Sequence, residues 1–154
     1  SAAHAVTTRL AAGGTPPAGL VLLDSYHITP DREAEPWLLA LPARIPVALG
    51  ERFDTEVDDL TLLSLGAYTR MFRGWHPAAT EVPTLLVRAT RPLPDMPGRW
   101  RSGWPGRHDT VDVPGSHLSV HEEHAPTTAR AIRDWIDSPR RPGEQRPHGP
   151  TKRR

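Results

Sequence analysis

Cysteine is absent from the 154-residue chain, and aromatic residues make up only 6% of it. The lack of cysteine excludes a disulfide framework and a thiolate nucleophile. No apolar run approaches the roughly 20 residues that a membrane-spanning helix needs, so a soluble, cytoplasmic protein without a membrane partner is the default expectation. The chain begins SAAHAVTTRL, without a methionine or a secretory pattern, and is expected to be part of something longer.

Charge is nearly balanced, with 19 Lys and Arg against 18 Asp and Glu, and the net charge of +1 hides an asymmetry. Residues 138–154 contain six basic residues and one acidic residue, which leaves −4 on residues 1–137. No basic face for nucleic acid follows from these numbers. The 18 prolines indicate a globular body rich in loops. Residues 138–154 have no apolar residue to bury and are predicted to form a disordered tail behind a domain spanning 1–137.

Short apolar runs predict three strands. The first is Leu20–Leu23, the second lies in PTLLVRAT at 83–90, and the third, shorter one lies in HDTVDVPG at 108–115, where Val111 and Val113 alternate. A helix is predicted before the first strand, ending at Gly13 and Gly14. Its apolar side comprises Ala2, Ala3, Ala5, Val6 and Leu10.

The middle of the chain, from Tyr26 to Arg73, has no strand signal, and its later part has helical spacing of apolar residues. These residues are Leu60, Leu63, Ala67 and Met71. A final helix follows the third strand, with a predicted apolar face of Ala125, Ala129, Ile132 and Ile136. The order of helix, strand, insertion, two strands and helix predicts a parallel α/β fold with a helical insertion at about 31–73. Three strands leave at least one sheet edge unpaired, which again favours a longer domain.

Asp24 ends the first apolar run, where parallel strands commonly present active-site residues. One interpretation is structural: Asp24 is a capping or turn residue, because Asp accepts hydrogen bonds from backbone N–H groups at such positions. The other interpretation is the orienting acid of a nucleophile–base–acid triad, which needs a histidine close in space.

His117, in VPGSHLSV directly after the third strand, is the best placed of eight histidines to meet Asp24 at one sheet edge. His121 and His124 lie three residues apart in HEEH and together with His117 suggest a metal cluster. That spacing lacks the zinc-protease motif and further ligands, so we expect no metal site and assign both to solvated or capping positions. His108 is expected to be structural; the contexts of His4, His27, His76 and His148 are uninformative.

The order of acid then histidine is that of α/β-hydrolases, in which the nucleophilic serine comes first on a G-x-S-x-G turn. Ser1 is the only serine before Asp24, and no such turn surrounds it. The other serines considered also lack that context: Ser25, Ser64, Ser102, Ser116 and Ser119.

Several stretches together resemble the C-terminal thioesterase domain of modular type I polyketide synthases, in the same order from residue 2 to about 137. They are PPAGLVLLDSY, LTLLSLGAYTRMFRGW, PTLLVRAT, WPGRHDTVDVPGSHLSVHEEHA and ARAIRDWI, of which HDTVDVPGSH is the most specific. The resemblance implies that Asp24 is the triad acid and that His117, after V-P-G-x-H, is the base. Other α/β-hydrolases usually place the acid after the next strand, where Asp95 is the nearest candidate, and the family pattern favours Asp24. The family's G-H-S-x-G serine would lie about four residues before Ser1, and its oxyanion-hole donors would also lie outside the chain.

By this resemblance, a polyketide chain passes from the phosphopantetheine of an acyl carrier protein to the serine, with His117 as general base and Asp24 fixing its tautomer. A hydroxyl then closes a macrolactone, or water gives a linear acid. The insertion at about 31–73 would be the lid of a substrate channel. Tyr26 would line that channel or pack beneath the lid. Trp100 and Trp104 resemble family positions, and packing is favoured over substrate contact for both. The domain itself would bind no cofactor, and a homodimer is possible but not derivable.

Two other functions stay open. One is a non-catalytic remnant or docking module whose basic tail binds an acidic partner. The other is a stand-alone editing thioesterase that hydrolyses mischarged carrier proteins. A G-x-S-x-G turn in frame upstream would favour an enzyme, whereas a start codon at this point would favour the remnant.

Overall fold

A computed structural model describes residues 1–27, 58–72, 75–92 and 100–138 of the chain. The described elements are α1 (Ala2–Ala12), β1 (Leu20–Leu23), α2 (Asp59–Phe72), β2 (Thr84–Ala89), β3 (Asp109–Val113), a short 3-10 helix (Ser119–His121) and α3 (Ala125–Asp137). Most of the predicted lid and nearly all of the predicted disordered tail lie outside the described residues.

The three strands form one parallel sheet in the order β1-β2-β3, which confirms the predicted parallel α/β arrangement. Leu22 pairs with Leu86, and Leu86 pairs with Thr110, so β2 lies in the centre. All three strands therefore end at the same edge of the sheet. In the described residues, β1 and β3 are the outer strands.

Apolar side chains cover both faces of the sheet, because successive residues of a strand point to opposite sides. On one face, Leu22 and Leu86 pack with Trp104 and with Ala11 of α1. On the other face, Val87 and its neighbours pack against α3. The core on that second face comprises Leu85, Val87, Ala89, Val113 and Val120, with Ala131, Ile132 and Trp135 of α3 against it. The strands are thus held between α1 and α3.

The apolar side of α1 identified from the sequence is not the side that the structure buries. Val6 and Leu10 are 58% and 43% exposed, and the alanines of that side are exposed as well. The helix instead buries His4 and Thr7, with His4 in ring contact with Trp75 and Trp104. The imidazole fills space between two indoles that the smaller alanine side chains would leave empty, and aromatic packing of this kind decides which side faces the sheet.

The predicted face of α3 is correct only in part. Ile132 packs on the core, but Ala129 and Ile136 are exposed. The helix is rotated so that Thr128 Oγ1 donates to Val120 O at 2.8 Å and Trp135 Nε1 donates to Asp109 Oδ2 at 2.7 Å. These two hydrogen bonds turn the side of the helix that carries Trp135 towards β3.

The helix α2 confirms the helical prediction for its part of the insertion. Asp58 caps it, since its Oδ1 accepts the Thr61 N–H at 2.8 Å. The apolar side chains that predicted this helix are exposed, with Leu60 and Leu63 each at 71% and Met71 at 75%. None of the helices in the described ranges combines the length and apolar character needed to cross a membrane.

The central position of β2 predicts a large stability difference between two leucine truncations. Leu86→Ala, in the middle of the sheet and 1% exposed, should lower the free energy of unfolding by about 2–5 kcal/mol. Leu10→Ala, on the exposed side of α1, is the matched control and should change it by no more than about 0.5 kcal/mol. Urea unfolding followed by circular dichroism measures both, and equal losses would contradict this account of the core.

Candidate functional site

The ends of β1 and β3 bring Asp24 and His117 together. Asp24 follows the last residue of β1 and has a φ of 38°, so the backbone turns out of the sheet at this residue. Its N–H donates to Val87 O at 2.7 Å, which continues the pairing with β2 through the turn. Asp tolerates the left-handed region better than most residues, and here that conformation aims a carboxylate across the end of β2.

The carboxylate of Asp24 is buried, with only 1% of the residue exposed, and both oxygens accept hydrogen bonds. Oδ1 accepts the backbone N–H of Ala89 at 3.0 Å. Oδ2 lies 3.0 Å from His117 Nδ1 and accepts the Tyr26 hydroxyl at 3.2 Å. The predicted contact between Asp24 and His117 at the carboxyl edge of the sheet is confirmed.

The hydrogen bonds to Asp24 outweigh the effect of its burial. Burial by itself would raise the pKa of this carboxyl, because a charge is costly to remove from water. The bonds from His117 and from the Ala89 amide favour the ionised form, with a further contribution from the Ser102 hydroxyl, and the pKa lies below its ordinary value. Asp24 is therefore a carboxylate at neutral pH.

The ionised state of Asp24 determines the tautomer of His117. A carboxylate can only accept hydrogen bonds, so Nδ1 of His117 must be the donor in the 3.0 Å contact. In the neutral imidazole, Nε2 then carries a lone pair and can accept a proton. The His117 side chain is 38% exposed, so solvent reaches the imidazole ring. The pair has the chemistry of an oriented general base.

The loop that carries His117 depends on Gly115. This glycine has a φ of 104°, and a Cβ here would overlap Ser119 Oγ and His124 Cδ2. Ser119 Oγ also accepts the Ser116 N–H at 2.7 Å, which closes the turn into the 3-10 helix. The close approach of these side chains to a backbone without Cβ brings His117 back over the end of the sheet.

Among the described residues, no other histidine hydrogen-bonds to Asp24 or His117. His121 is exposed, and its ring lies 6.1 Å from that of His117. His124 directly precedes α3, and its Nε2 lies 3.4 Å from Arg91 Nη2. His108 Nδ1 lies 2.6 Å from Gly106 O, a local contact consistent with the expected structural role. No group of three metal-ligating side chains occurs in the parts of the chain that the structure describes.

Sequence reasoning missed several buried polar residues near the site. His4 and His27 are 2% and 8% exposed and surround Trp75 and Trp104 with ring contacts, although their sequence contexts are uninformative. Trp104 belongs to the core, in agreement with the packing role expected of it. Ser102, two residues earlier, is 4% exposed. The contacts of these residues join segments distant in sequence, so no local pattern could have found them.

The nucleophile is not evident among the described residues. No described serine hydrogen-bonds to His117. Ser116 Oγ lies 3.4 Å from Ser119 Oγ within the same turn, and Ser25 Oγ donates to Leu23 O at 3.3 Å. The alternative acid considered from the sequence, Asp95, lies outside the described residues.

Solved structures with a similar fold include two thioesterase domains. The NocB thioesterase domain, in a covalent complex with a fluorophosphonate nocardicin G analogue, superposes with a TM-score of 0.59 at 21% identity, covering 88% of this chain and 61% of that one. The Vlm2 thioesterase domain bound with a dodecadepsipeptide gives 0.52 at 22% identity, covering 84% and 61%. The chain therefore has the α/β-hydrolase type of fold found in thioesterase domains.

Sequence comparison relates the chain to polyketide synthases. It is 41% identical over 151 residues to polyketide synthase GfsE of Streptomyces halstedii and 41% identical over 135 residues to erythronolide synthase EryA3 of Saccharopolyspora erythraea. The matches cover 88% and 87% of this chain but 4% of each synthase. No protein-family model matches the sequence. Together with the fold, these relatives confirm the resemblance to the thioesterase domains of polyketide synthases.

Two glycines with positive φ provide a test of the His117 loop. Gly14→Ala, at φ 80° with open space around the new methyl group, should cost only the backbone strain of about 1–2 kcal/mol. Gly115→Ala adds an overlap with Ser119 and His124, so the loss in unfolding free energy should be larger by roughly 1–3 kcal/mol. Urea unfolding of the two variants compares them directly, and a Gly115→Ala loss no greater than that of Gly14→Ala would refute the packing argument.

The lowered pKa of Asp24 predicts an acid-sensitive contribution to stability. The unfolded chain binds a proton at the ordinary pKa of 3.8, whereas the folded protein resists protonation until lower pH. The contribution of Asp24 to the free energy of unfolding is therefore fully present above pH 3.8 and is lost as the pH falls through the folded-state pKa. Asp24→Asn should remove this dependence, so the difference in unfolding free energy between wild type and variant should shrink from about pH 5 to about pH 2. A difference that stays constant over this range would contradict the assignment.

Proposed function

We propose that this chain supplies the acid and the general base of a thioesterase that releases a polyketide chain from an acyl carrier protein. The observation that supports the proposal most is the contact between the buried Asp24 carboxylate and His117 Nδ1 at the carboxyl edge of the sheet. The relation to polyketide synthases supports the substrate class, a thioester on the phosphopantetheine arm of a carrier protein.

The proposed first step makes an acyl-enzyme. Nε2 of His117 takes the proton of a serine hydroxyl that an upstream G-x-S-x-G turn would provide, and the serine oxygen attacks the thioester carbonyl. The carbon–sulfur bond then breaks, and the imidazolium returns its proton to the departing thiol. Asp24 remains ionised throughout and stabilises the transient positive charge on His117.

In the second step the serine oxygen is the leaving group and an acceptor oxygen is the nucleophile. Nε2 of His117 takes a proton from an acceptor hydroxyl, the acceptor oxygen attacks the ester carbonyl, and the serine oxygen leaves with the proton held by His117. An acceptor hydroxyl within the acyl chain gives a macrolactone, and water gives a linear acid. None of these proton transfers and substitutions requires a bound cofactor beyond the carrier's phosphopantetheine.

The insertion at about 31–73 is proposed to be the lid over the acyl chain. Its described part, α2, exposes Leu60, Leu63 and Met71. Such an apolar surface suits contact with a long acyl chain better than contact with water. Tyr26, whose ring lies 5.8 Å from that of His117, is proposed to border the same channel.

Turnover tests the proposed function. This chain alone should not hydrolyse a short acyl N-acetylcysteamine thioester, because nucleophile and oxyanion donors supply most of the transition-state stabilisation. The same chain extended upstream through a G-x-S-x-G turn should do so. In the extended protein, His117→Ala should lower kcat by about 10²–10⁴-fold, the usual contribution of a general base. His121→Ala, in the neighbouring 3-10 helix, removes an exposed imidazole without a hydrogen bond to Asp24 or His117; it is the matched control and should leave kcat nearly unchanged.

Three results would count against this function. Activity of the extended protein that survives His117→Ala would remove the proposed base. Turnover by this chain alone that disappears in Ser1→Ala would make Ser1 the nucleophile. A strong preference of the extended protein for carrier proteins loaded with short acyl groups over those loaded with a polyketide chain would instead favour an editing thioesterase.

A further inference from the structure

Two hydroxyl groups from different segments lie beside the Asp24 carboxylate. The Tyr26 hydroxyl donates to Oδ2 at 3.2 Å, the same oxygen that faces His117 Nδ1. The Ser102 hydroxyl is the second, and it is among the groups that keep the pKa of Asp24 low. Neither hydroxyl takes part in the proton transfers proposed above.

The Ser102 hydroxyl is buried without a hydrogen bond of ordinary geometry to any described residue. Leaving a hydroxyl unpaired in the interior costs free energy, so a buried serine needs a partner to be retained without loss. The Ser102 hydroxyl is one of the groups that lower the pKa of Asp24, so that carboxylate is the candidate partner.

The backbone around Ser102 is fixed against the end of β1. Gly103 forms a parallel bridge with Tyr26, and Gly103 O accepts the His27 N–H at 3.3 Å. Trp104 then enters the core at 8% exposure. The bridge thus ties the segments that carry both hydroxyls to each other beside Asp24.

The acceptor capacity of the carboxylate allows this arrangement. An ionised carboxylate accepts about four hydrogen bonds. The Ala89 amide, His117 and the Tyr26 hydroxyl provide three in the structure, and the Ser102 hydroxyl can provide the fourth. A carboxylate that is so fully occupied has little freedom to rotate about its Cβ–Cγ bond.

We propose that Tyr26 and Ser102 are positioning residues, whose hydroxyls hold the Asp24 carboxylate in the orientation that aligns His117. This role rests on the proposed thioesterase function and adds to the channel-lining role considered for Tyr26. The positioning role predicts that loss of either hydroxyl affects the reaction through Asp24. Contacts between the protein and the acyl chain should stay the same.

Loss of either hydroxyl has two expected consequences. With one donor fewer, the charged form of Asp24 is less stabilised, so the pKa of Asp24 rises towards its ordinary value. The acid also aligns His117 less well, so kcat falls while KM stays the same, because the lost interaction is not a substrate contact. A residue that merely contacts the acyl chain would raise KM without moving the titration of Asp24.

The first experiment follows the titration of the Asp24 side-chain carboxyl carbon by NMR in this chain as it stands. Tyr26→Phe and Ser102→Ala each remove one hydroxyl with little change of shape. Ser25→Ala is the matched control, because the Ser25 hydroxyl lies in the same turn but donates to Leu23 O. Asp24 should titrate at higher pH in the first two variants and at the wild-type pH in the control.

The second experiment measures kcat and KM in the extended protein. Tyr26→Phe and Ser102→Ala should each lower kcat by about 10-fold or more, as expected for one hydrogen bond to a charged group. KM should stay at the wild-type value.

The titration decides the proposal separately for each hydroxyl. An unchanged Asp24 titration in a variant overturns the positioning role of that residue, whatever its effect on turnover. If KM rises while the Asp24 titration is unchanged in Tyr26→Phe, Tyr26 is a substrate contact and the proposal fails for it. If the extended wild type has no thioesterase activity, the proposed function fails, while the titration still tests the hydroxyls.

Discussion

The buried carboxylate of Asp24 imposes the strongest constraint on this structure. A charge that is almost wholly removed from water must be compensated by hydrogen bonds, and here they come from β2, from the loop after β3 and from the turn after β1. The parallel order β1-β2-β3 makes this possible because all three strands end at one edge. The same interactions that stabilise the charge therefore bring the imidazole into place, so stability and candidate chemistry depend on one group.

Much of this arrangement could be predicted from the sequence, because the deciding signals are local. The run Leu20–Leu23 is apolar throughout, as a strand covered on both faces must be, and β1 has these bounds in the structure. Asp24 and His117 each follow a predicted strand, and parallel strands bring their ends together. The resemblance to polyketide synthase thioesterases added the identity of the pair, and the structure places the two side chains in contact.

The parts that could not be predicted depend on long-range packing. Hydrophobicity alone favoured the alanine side of α1, yet the indoles of Trp75 and Trp104 contact His4 and reverse the choice. The hydrogen bonds donated by Thr128 and Trp135 likewise determine which side of α3 faces the sheet. The segment that carries Ser102 lies beside the turn after β1 through the bridge between Gly103 and Tyr26. In the two helices, polar or aromatic contacts distant in sequence outweighed a local apolar pattern.

The central claim is that the Asp24 carboxylate fixes the proton of neutral His117 on Nδ1 and leaves Nε2 free to act as a base. The most direct test is long-range ¹H–¹⁵N correlation NMR of the His117 ring in alkaline buffer, with the signals assigned by their loss in His117→Ala. The account predicts that Nδ1 is protonated and Nε2 is bare in the wild-type chain. A proton on Nε2, with a bare Nδ1 facing the carboxylate, would contradict it.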